Sequence, residues 1–259
     1  MNLSFDLDRA SGYKAKPQII RILSEDWVLT NSYCPRCGYY RLQKFRNNRP
    51  VADFCCRVCS EEFELKSKFE KLTNTIIDGA YSKMIERINS KNNPNFFFLT
   101  YTRNWSVNDF FIIPKQFFTE EIILKRSPLP PTARRAGWIG CNIDIAKVPE
   151  SGKVYLVKQS KIIDRKIVKQ SFNKTLFLRE KSIDAKGWLL DIMKCVDEIK
   201  SDVFKLDEIY NFENKLKLKY PNNNFIKDKI RQQLQILRDN GIIEFVGRGK
   251  YRKLKPEIH

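Results

Sequence analysis

The sequence predicts a mixed α/β domain that carries a four-cysteine metal site, followed by a small winged-helix domain. Residues 61–68 alternate between polar and apolar side chains, and Phe96 to Thr102 is a nearly continuous apolar run. These two patterns are typical of a half-buried strand and of a buried strand. After residue 182 the apolar spacing becomes helical. The sequence therefore predicts one domain over residues 1–182 and a second over residues 183–259.

Apolar spacing and turn residues predict the other elements of the first domain. They are a helix within 1–33, a helix over 70–89, a strand from Phe110 to Ile113, a helix over 115–126 and a strand from Val154 to Val157. Between the last two elements, a proline-rich turn over 128–131 leads into a basic loop over 132–141.

Three helices and a basic hairpin are expected in the second domain. The first helix has an apolar stripe from Trp188 to Ile199, and the second covers residues 205–216. The third covers residues 224–239 and turns five apolar side chains inward: Phe225, Ile226, Ile230, Leu234 and Leu237. Two strands follow, from Ile242 to Val246 and from Tyr251 to Leu254. This order describes a winged helix, a variant of the helix-turn-helix.

Charge and length limit the possible partners. The chain of 259 residues has 48 basic and 30 acidic side chains, a formal charge of +18 and a pI near 9.6, which favour an acidic polymer or an anionic membrane surface. No apolar run reaches the roughly 18 residues that a membrane span needs, and the N-terminus does not have the pattern of a signal peptide. We therefore expect a cytoplasmic protein that binds nucleic acid and no membrane.

Four of the seven cysteines form two Cys-x-x-Cys pairs, Cys34 with Cys37 and Cys56 with Cys59. This spacing lets both sulfurs of a pair reach one ion, and two such pairs are typical of a structural zinc site. The alternatives are a redox pair or cysteines that are merely buried. Cys55 is an ambiguous ligand, whereas Cys141 and Cys195 are expected to pack as small apolar residues.

Acidic residues accompany the second cysteine pair. Asp53 precedes Cys56, and Glu64 and Lys66 share one face of the strand predicted over 61–68, with Leu65 pointing to the core. Two carboxylates can hold one or two magnesium ions, which would activate a water for hydrolysis of a phosphodiester, and Lys66 would orient that water or stabilise the developing charge. The single histidine is His259, the last residue, so a histidine base or ligand in a folded site is excluded. The alternative is a solvated charged face, because Glu62 and Lys68 extend the same stripe.

Basic and polar residues of the second domain are candidates for DNA contact. The hairpin carries Arg248, Lys250, Arg252 and Lys253, which suit phosphate contacts. The start of the third helix offers Asn222, Asn223, Asn224, Lys227, Arg231 and Gln232, where side chains can enter the major groove. The alternatives are capping and turn chemistry for the asparagines, and a solubilising face for the hairpin.

A further candidate DNA contact lies in the basic loop of the first domain. Trp138 stands between Gly137 and Gly140 and follows Arg134 and Arg135, which suits a loop that touches DNA. The alternative is a core tryptophan that anchors a strand.

Several longer runs carry a resemblance to a known family. They are Tyr33 to Gly38, Asn48 to Phe54, Glu61 to Lys68, Asn93 to Thr102, Pro131 to Asn142, Ile230 to Glu244 and Gly247 to Leu254. Together they span nearly the whole chain, which resembles the DpnI-type restriction endonucleases. These enzymes cleave GATC sites in which the adenine carries an N6-methyl group.

The resemblance implies a PD-(D/E)xK restriction-endonuclease-like domain with an inserted zinc site, joined to a winged helix, with each domain able to recognise methylated double-stranded DNA. Asp53, Glu64 and Lys66 would be the catalytic residues, with the Leu65 main-chain carbonyl as a further magnesium ligand. The four cysteines would hold structural zinc, and Trp138 would contact methylated adenine. Ala52 stands where the motif name has proline. The implied protein is a Type II site-specific deoxyribonuclease that acts as a monomer without an obligatory protein partner.

Two other functions stay open on the residues alone. One is a non-enzymatic regulator that binds DNA through its zinc site and winged helix, with Asp53 and Glu64 as surface charges. The other is a structure-specific or repair nuclease that uses the same triplet without methyl dependence. Magnesium-dependent nicking of a plasmid tests the first alternative, and a comparison of methylated with unmethylated plasmid tests the second.

Overall fold

The computed structural model describes residues 1–45, 52–90 and 93–254. Residues 48–51, which belong to the run that ends at Phe54, and His259 lie outside the described residues. The chain divides into two compact units. The first combines Met1–Ala146 with Lys153–Phe172, and the second combines Lys147–Gly152 with the chain from Asn173 onward. The domain boundary near residue 182 stays a prediction. No helix among the described residues has the length and apolarity that a bilayer span requires.

The first unit is built on a mixed sheet. In chain order, the elements up to Asn173 are α1 (Lys16–Asn31), β1 (Gln43–Lys44), β2 (Phe54–Cys55), β3 (Glu62–Phe69), β4 (Thr75–Ala80), α2 (Tyr81–Ile88), β5 (Asn95–Tyr101), β6 (Val107–Ile113), β7 (Ile123–Lys125), β8 (Gly140–Asp144), β9 (Val154–Lys158), β10 (Lys161–Ile162) and α3 (Arg165–Asn173). Within the described residues, the main sheet has the order β1-β2-β3-β5-β6-β9-β10. The strands predicted near 61–68, 96–102, 110–113 and 154–157 are confirmed as β3, β5, β6 and β9.

Stacked aromatic rings fill the core of this sheet. Phe97 of β5 lies between Phe63 of β3 and Phe110 of β6, with ring centroids 4.8 Å apart on each side. Trp27 of α1 meets Phe110 edge-on at 5.2 Å, so the first helix packs on this face. Because these rings are almost fully buried, β3 and β5 are held firmly in register.

Strands β3 and β5 are neighbours in the main sheet and run parallel to each other. Parallel strands need a crossover connection, and β4 and α2 lie in that crossover. A separate three-stranded sheet, β4-β8-β7, forms there among the described residues. The helix predicted over 70–89 is therefore wrong in its first half, because Thr75–Ala80 pairs with β8 as a strand and only Tyr81–Ile88 is helical. β-branched Thr75, Ile76 and Ile77 favour the extended state.

The helix predicted over 115–126 is also wrong. Two short 3₁₀ turns, Lys115–Phe117 and Glu120–Ile122, lead into β7. Apolar spacing suggested a helix, but β7 pairs with β8, so Ile123 and Leu124 join a strand ladder instead. The basic loop predicted over 132–141 ends earlier than expected, because Gly140 already begins β8.

The second unit has the helix and hairpin arrangement of a winged helix. Its elements after Asn173 are α4 (Ile183–Glu198), β11 (Val203–Lys205), α5 (Leu206–Tyr210), α6 (Glu213–Lys219), α7 (Ile226–Asp239), β12 (Ile243–Gly247) and β13 (Lys250–Lys253). The strands pair in the order β11-β13-β12. The single helix predicted over 205–216 is two helices, α5 and α6, preceded by β11.

One core assignment in α7 is wrong. Ile226, Ile230, Leu234 and Leu237 are buried as predicted, but Phe225 is 72% exposed. The helix begins at Ile226, and Phe225 has the non-helical backbone of an N-cap residue, with φ −121° and ψ 51°. Its side chain therefore falls outside the helical phase that turns its neighbours inward.

Candidate active site, metal centre and nucleic-acid interface

Two similar turns bring the four cysteines of the sequence pattern together. In the first turn, the Gly38 N–H donates to the Cys34 carbonyl at 2.8 Å, and in the second the Ser60 N–H donates to the Cys56 carbonyl at 2.9 Å. Gly38 and Ser60 occupy the same place in their turns and both have positive φ, +78° and +57°. This left-handed backbone is easily adopted by glycine and is uncommon for serine.

The sulfur geometry fits one tetrahedral ion. All four Sγ atoms lie within 4.8 Å of one another, with Cys34–Cys59 at 3.4 Å and Cys37–Cys56 at 3.5 Å. Zinc–sulfur bonds of about 2.3 Å place the sulfurs of a tetrahedral site roughly 3.8 Å apart. Burial raises the pKa of the Cys34 thiol and raises that of Cys59 to about 11. A divalent cation would offset this cost of ionising buried thiols, so the donor set fits zinc.

The other three cysteines lie outside this cluster. Cys55 is half-buried on β2, where it pairs with Glu62. Cys141 and Cys195 are buried, which confirms that they pack as small apolar residues.

The structure brings the three predicted catalytic residues to one part of β3. Glu64 and Lys66 lie on the strand itself, with the Lys66 ammonium 2.6 Å from the Glu64 carboxylate. Asp53 stands just before β2, where the ladder with β3 ends at the pair Phe54 and Phe63. Its carboxylate accepts the Leu65 N–H at 2.8 Å. The Leu65 side chain, predicted to point into the core, is only half-buried.

The charges of the triplet influence one another. Burial raises the pKa of Asp53, the Leu65 N–H opposes this, and the negative charge of Glu64 raises it further. Burial alone would lower the pKa of Lys66, but its contacts with Glu64 and Asp78 raise the pKa above its ordinary value. The site therefore holds a protonated lysine beside carboxylates that repel one another.

Two side chains of the crossover complete the cluster. Asp78 of β4 lies 2.5 Å from the Lys66 ammonium, and Arg87 of α2 donates to the Glu64 carboxylate at 2.6 Å. Both are largely buried. The sequence analysis missed them because residues 70–89 were interpreted as one helix. No local pattern marks either residue, since the pairing of β4 with β8 decides where they point.

A third residue that the sequence analysis missed is Glu25 of α1. Its carboxylate is almost fully buried between Arg21, at 2.7 Å, and Lys44, at 2.6 Å. Its negative charge also contributes to the raised pKa of Asp53, behind burial and Glu64. Glu25 thus belongs to the electrostatic surroundings of the site.

Trp138 is neither a core residue nor fully exposed. Its ring lies against Gly140, where an added Cβ would stand 2.8 Å from Cζ3. The Arg135 guanidinium stacks over the ring at 4.5 Å from its centroid. Arg134 and Arg135 are both exposed. This loop joins β7 to β8 and is closed at its base by hydrogen bonds between Leu129 and Trp138 and between Arg126 and Gly140.

Comparison with protein families gives two matches that together cover most of the chain. The model of the DpnI family, described as the Dam-replacing family, matches residues 1–181. A second model, described as the Dam-replacing HTH domain, matches residues 184–253. The chain belongs to the DpnI family. Family membership makes it a restriction endonuclease with a helix-turn-helix DNA-binding domain.

In the helix-turn-helix domain of this DpnI-family chain, the three asparagines lie before α7 and not on it. The Asn223 side chain accepts the Phe225 N–H at 2.8 Å, which supports the turn interpretation for this residue. Asn222 and Asn224 are exposed. On α7, exposed Lys227 and Arg231 both lie over the Tyr210 ring, and Gln232 is also exposed.

The hairpin β12–β13 separates its basic residues into two kinds. Arg252 pairs with Glu244 at 2.5 Å, and the Lys253 ammonium donates to the Ile199 carbonyl. Arg248 and Lys250 are exposed at the tip, and within the described residues neither makes an ion pair. These two cations are therefore the better candidates for phosphate contact.

Proposed function

We propose that this protein is a methylation-dependent Type II restriction endonuclease. It would cleave double-stranded DNA at GATC sites that contain N6-methyladenine, by magnesium-dependent hydrolysis of the phosphodiester. The observation that carries the proposal is the arrangement of Asp53, Glu64 and Lys66 on and beside β3. The DpnI family supplies the expected substrate.

The donor set at β3 suits magnesium. Asp53 and Glu64 supply carboxylate oxygens, which this hard cation prefers, and the Leu65 carbonyl is a third candidate ligand. Burial and the negative charge of Glu64 raise the cost of ionising Asp53, as its raised pKa shows. A bound magnesium ion would stabilise charge on the phosphate and lower the pKa of an attacking water.

Lys66 has a separate role in this proposal. Its raised pKa keeps the ammonium protonated beside Glu64 and Asp78. A protonated lysine cannot remove a proton from water, so it would act as a hydrogen-bond donor and a positive charge. We infer that Lys66 orients the attacking water or stabilises the negative charge that develops on the phosphate.

Recognition of DNA would be divided between the two domains. In the nuclease domain, the half-exposed Trp138 ring offers an apolar face beside Arg134 and Arg135, which suits a methyl group in the major groove. In the helix-turn-helix domain, Arg248 and Lys250 would contact phosphates, while Asn222, Asn224, Lys227, Arg231 and Gln232 are candidates for base contact. One methyl group in an apolar pocket contributes about 1–3 kcal/mol, so two readers sharpen the discrimination.

Zinc would have a structural role. The four thiolates bring together the turn over residues 34–38, after α1, and the turn over residues 56–60, between β2 and β3, and Cys56 is only three residues from Asp53. We propose that a zinc ion holds these two turns together and thereby fixes the position of Asp53 relative to β3.

The test is digestion of plasmid with adenine-methylated, hemimethylated or unmethylated GATC sites, with and without magnesium. We expect cutting of the methylated plasmid only when magnesium is present. Asp53→Ala and Glu64→Ala should abolish cutting but retain DNA binding, because neither removes a phosphate-binding cation. Lys66→Ala should also be severely impaired.

Glu62→Gln is the matched control, because it removes one carboxylate from the same strand and Glu62 is not a proposed magnesium ligand. It should cut at a rate close to that of the wild-type protein. Cutting by Asp53→Ala at the wild-type rate would contradict the proposed active site. Binding without any cutting by the wild-type protein would favour the DNA-binding regulator, and equal cutting of both plasmids would favour a nuclease without methyl dependence.

A further inference from the structure

Four charged side chains form a continuous chain across β3 and the crossover. In order along the contacts they are Arg87, Glu64, Lys66 and Asp78. The three contacts measure 2.6, 2.6 and 2.5 Å. The inner two residues belong to the proposed catalytic triplet, and the outer two come from α2 and β4.

The two outer residues differ in their surroundings, since backbone fixes Asp78 and buried space encloses the Arg87 guanidinium. The Asp78 carboxylate that meets Lys66 also accepts the Gly79 N–H at 2.7 Å. Strand β4 pairs along β8, with Asp78 opposite Cys141 and Ala80 opposite Gly140. Arg87 lies in the last turn of α2, where its Nε and Nη2 atoms are buried without an acceptor among the described residues.

This last feature argues against a purely stabilising role for Arg87. Buried donors without acceptors carry a desolvation cost, and a smaller apolar residue would avoid it. The contact that the guanidinium does make is the one to Glu64. The contact with the Glu64 carboxylate, and not packing in the core, therefore accounts for an arginine at this position.

We propose that Asp78 and Arg87 are positioning residues of the nuclease reaction, Asp78 for the ammonium of Lys66 and Arg87 for the carboxylate of Glu64. The inference rests on the proposed function. Left to themselves, Glu64 and Lys66 would simply pair with each other, since they stand two residues apart on one strand face. The outer charges give each of them a second partner, which fixes where its functional atoms lie.

Strand β4, which carries Asp78, is connected to the loop that carries Trp138. Strand β4 pairs with β8, and β8 begins at the glycine on which the Trp138 ring lies. The Tyr81 N–H, just after β4, also donates to the Ile139 carbonyl. The loop proposed to read methylated adenine and the residue that holds Lys66 therefore share one small sheet.

The experiment measures single-turnover cleavage of a methylated duplex by the full-length protein over a range of magnesium concentrations. Asp78→Asn keeps the shape and removes the charge that holds Lys66. We expect its rate at saturating magnesium to fall about 10- to 100-fold, the size of effect that misplacing a reacting group produces. Its half-saturating magnesium concentration should change much less than the rate does, because Asp78 is not a proposed magnesium ligand.

Arg87→Gln should behave differently, because its partner Glu64 is a proposed magnesium ligand. It should lower the rate and also raise the half-saturating magnesium concentration. Asp78→Glu and Arg87→Lys retain the charges and should recover part of the rate. Glu86→Gln and Lys83→Gln, from an exposed ion pair on α2, are charge-matched controls and should resemble the wild-type protein.

The outcomes distinguish failure of the proposed nuclease function from failure of the positioning roles of Asp78 and Arg87. If the wild-type protein cuts no duplex with magnesium, the proposed function itself fails. If the wild-type protein cuts and folded Asp78→Asn and Arg87→Gln cut equally fast, only the positioning inference fails. It also fails if both variants lose rate merely in proportion to lost folded protein, measured by thermal unfolding, and the charge-retaining variants recover nothing.

Discussion

Gly140 is the residue that lets Trp138 lie where it does, and the substitution Gly140→Ala tests the use of this ring. An added Cβ would stand 2.8 Å from Cζ3 and 2.9 Å from Cη2 of the indole. Carbon atoms in contact are normally about 3.5–4.0 Å apart. Gly140 is fully covered at the start of β8, so the backbone has little room to yield. The ring must therefore move.

The size of the effect follows from these distances. Restoring ordinary contact requires the ring to shift by roughly 0.7 Å or to change rotamer. Trp138 is half-exposed, so it can swing outward, and we expect the free energy of unfolding to change by less than about 1 kcal/mol. A methyl contact, in contrast, accounts for about 10- to 200-fold in rate. We therefore expect Gly140→Ala to reduce the rate ratio of methylated over unmethylated DNA by about 10-fold or more.

The assay compares initial cleavage rates on fully methylated, hemimethylated and unmethylated duplexes at one fixed salt concentration. Trp138→Ala is measured beside Gly140→Ala, together with the double variant. With the ring removed, the Cβ at position 140 meets no indole, so the second substitution should have little further effect. Such non-additivity is the signature of two residues that act through one contact.

Two results would refute this reasoning. A folded Gly140→Ala protein with an unaltered methyl preference would show that the position of the ring is irrelevant to recognition. Fully additive effects in the double variant would show that Gly140 acts through the strand β8 and not through Trp138. Thermal unfolding of all variants shows whether they remain folded.

Three further predictions concern the zinc site, the hairpin and Asp53. Metal analysis should find about one zinc ion per chain. Cys34→Ser should yield poorly folded protein, because such a site can contribute on the order of 10 kcal/mol to folding. Stable, active protein without zinc would contradict both expectations. The double variant Arg248→Ala, Lys250→Ala should bind all DNA sequences more weakly. The slope of its log binding constant against log salt concentration should fall by about 2 in magnitude, as expected for two lost phosphate contacts. Arg252→Ala should change this slope less, because the Arg252 guanidinium pairs with Glu244. Burial, with the charge of Glu64, raises the pKa of Asp53, so its ionised form destabilises the folded protein at neutral pH. In chelator at pH 7, Asp53→Asn should therefore raise the free energy of unfolding by on the order of 1 kcal/mol. This gain should shrink as the pH falls below the raised pKa, because Asp53 of the wild-type protein is then protonated and uncharged. An equal gain at all pH values would exclude the charge of Asp53 as its cause.

Local patterns were sufficient where a feature depends on neighbours in the sequence. The alternation in residues 61–68 predicted β3 and the shared face of Glu64 and Lys66, because side chains two apart on a strand always share a face. The spacing of the cysteine pairs likewise predicted one cluster, since each pair is closed by its own turn.

Long-range pairing explains what the sequence alone did not reveal. Residues 70–89 have helical spacing, yet Thr75–Ala80 becomes a strand because Gly140–Asp144, far along the chain, offers it a ladder. That choice decides where Asp78 points and where α2, with Arg87, begins. Strand preference depends strongly on such neighbours, so no local pattern could have shown that Lys66 and Glu64 have partners in this segment.

The charge of the proposed active site is opposite to that of the chain. The whole chain is +18, but the cluster at β3 combines three carboxylates with two cations, which leaves it at −1. The five residues are Asp53, Glu64, Asp78, Lys66 and Arg87. On the proposed function, a phosphate would be attracted by the exposed basic surface and repelled at the β3 cluster unless a divalent cation is bound there. This separation explains why DNA binding should persist in chelator while cleavage requires magnesium.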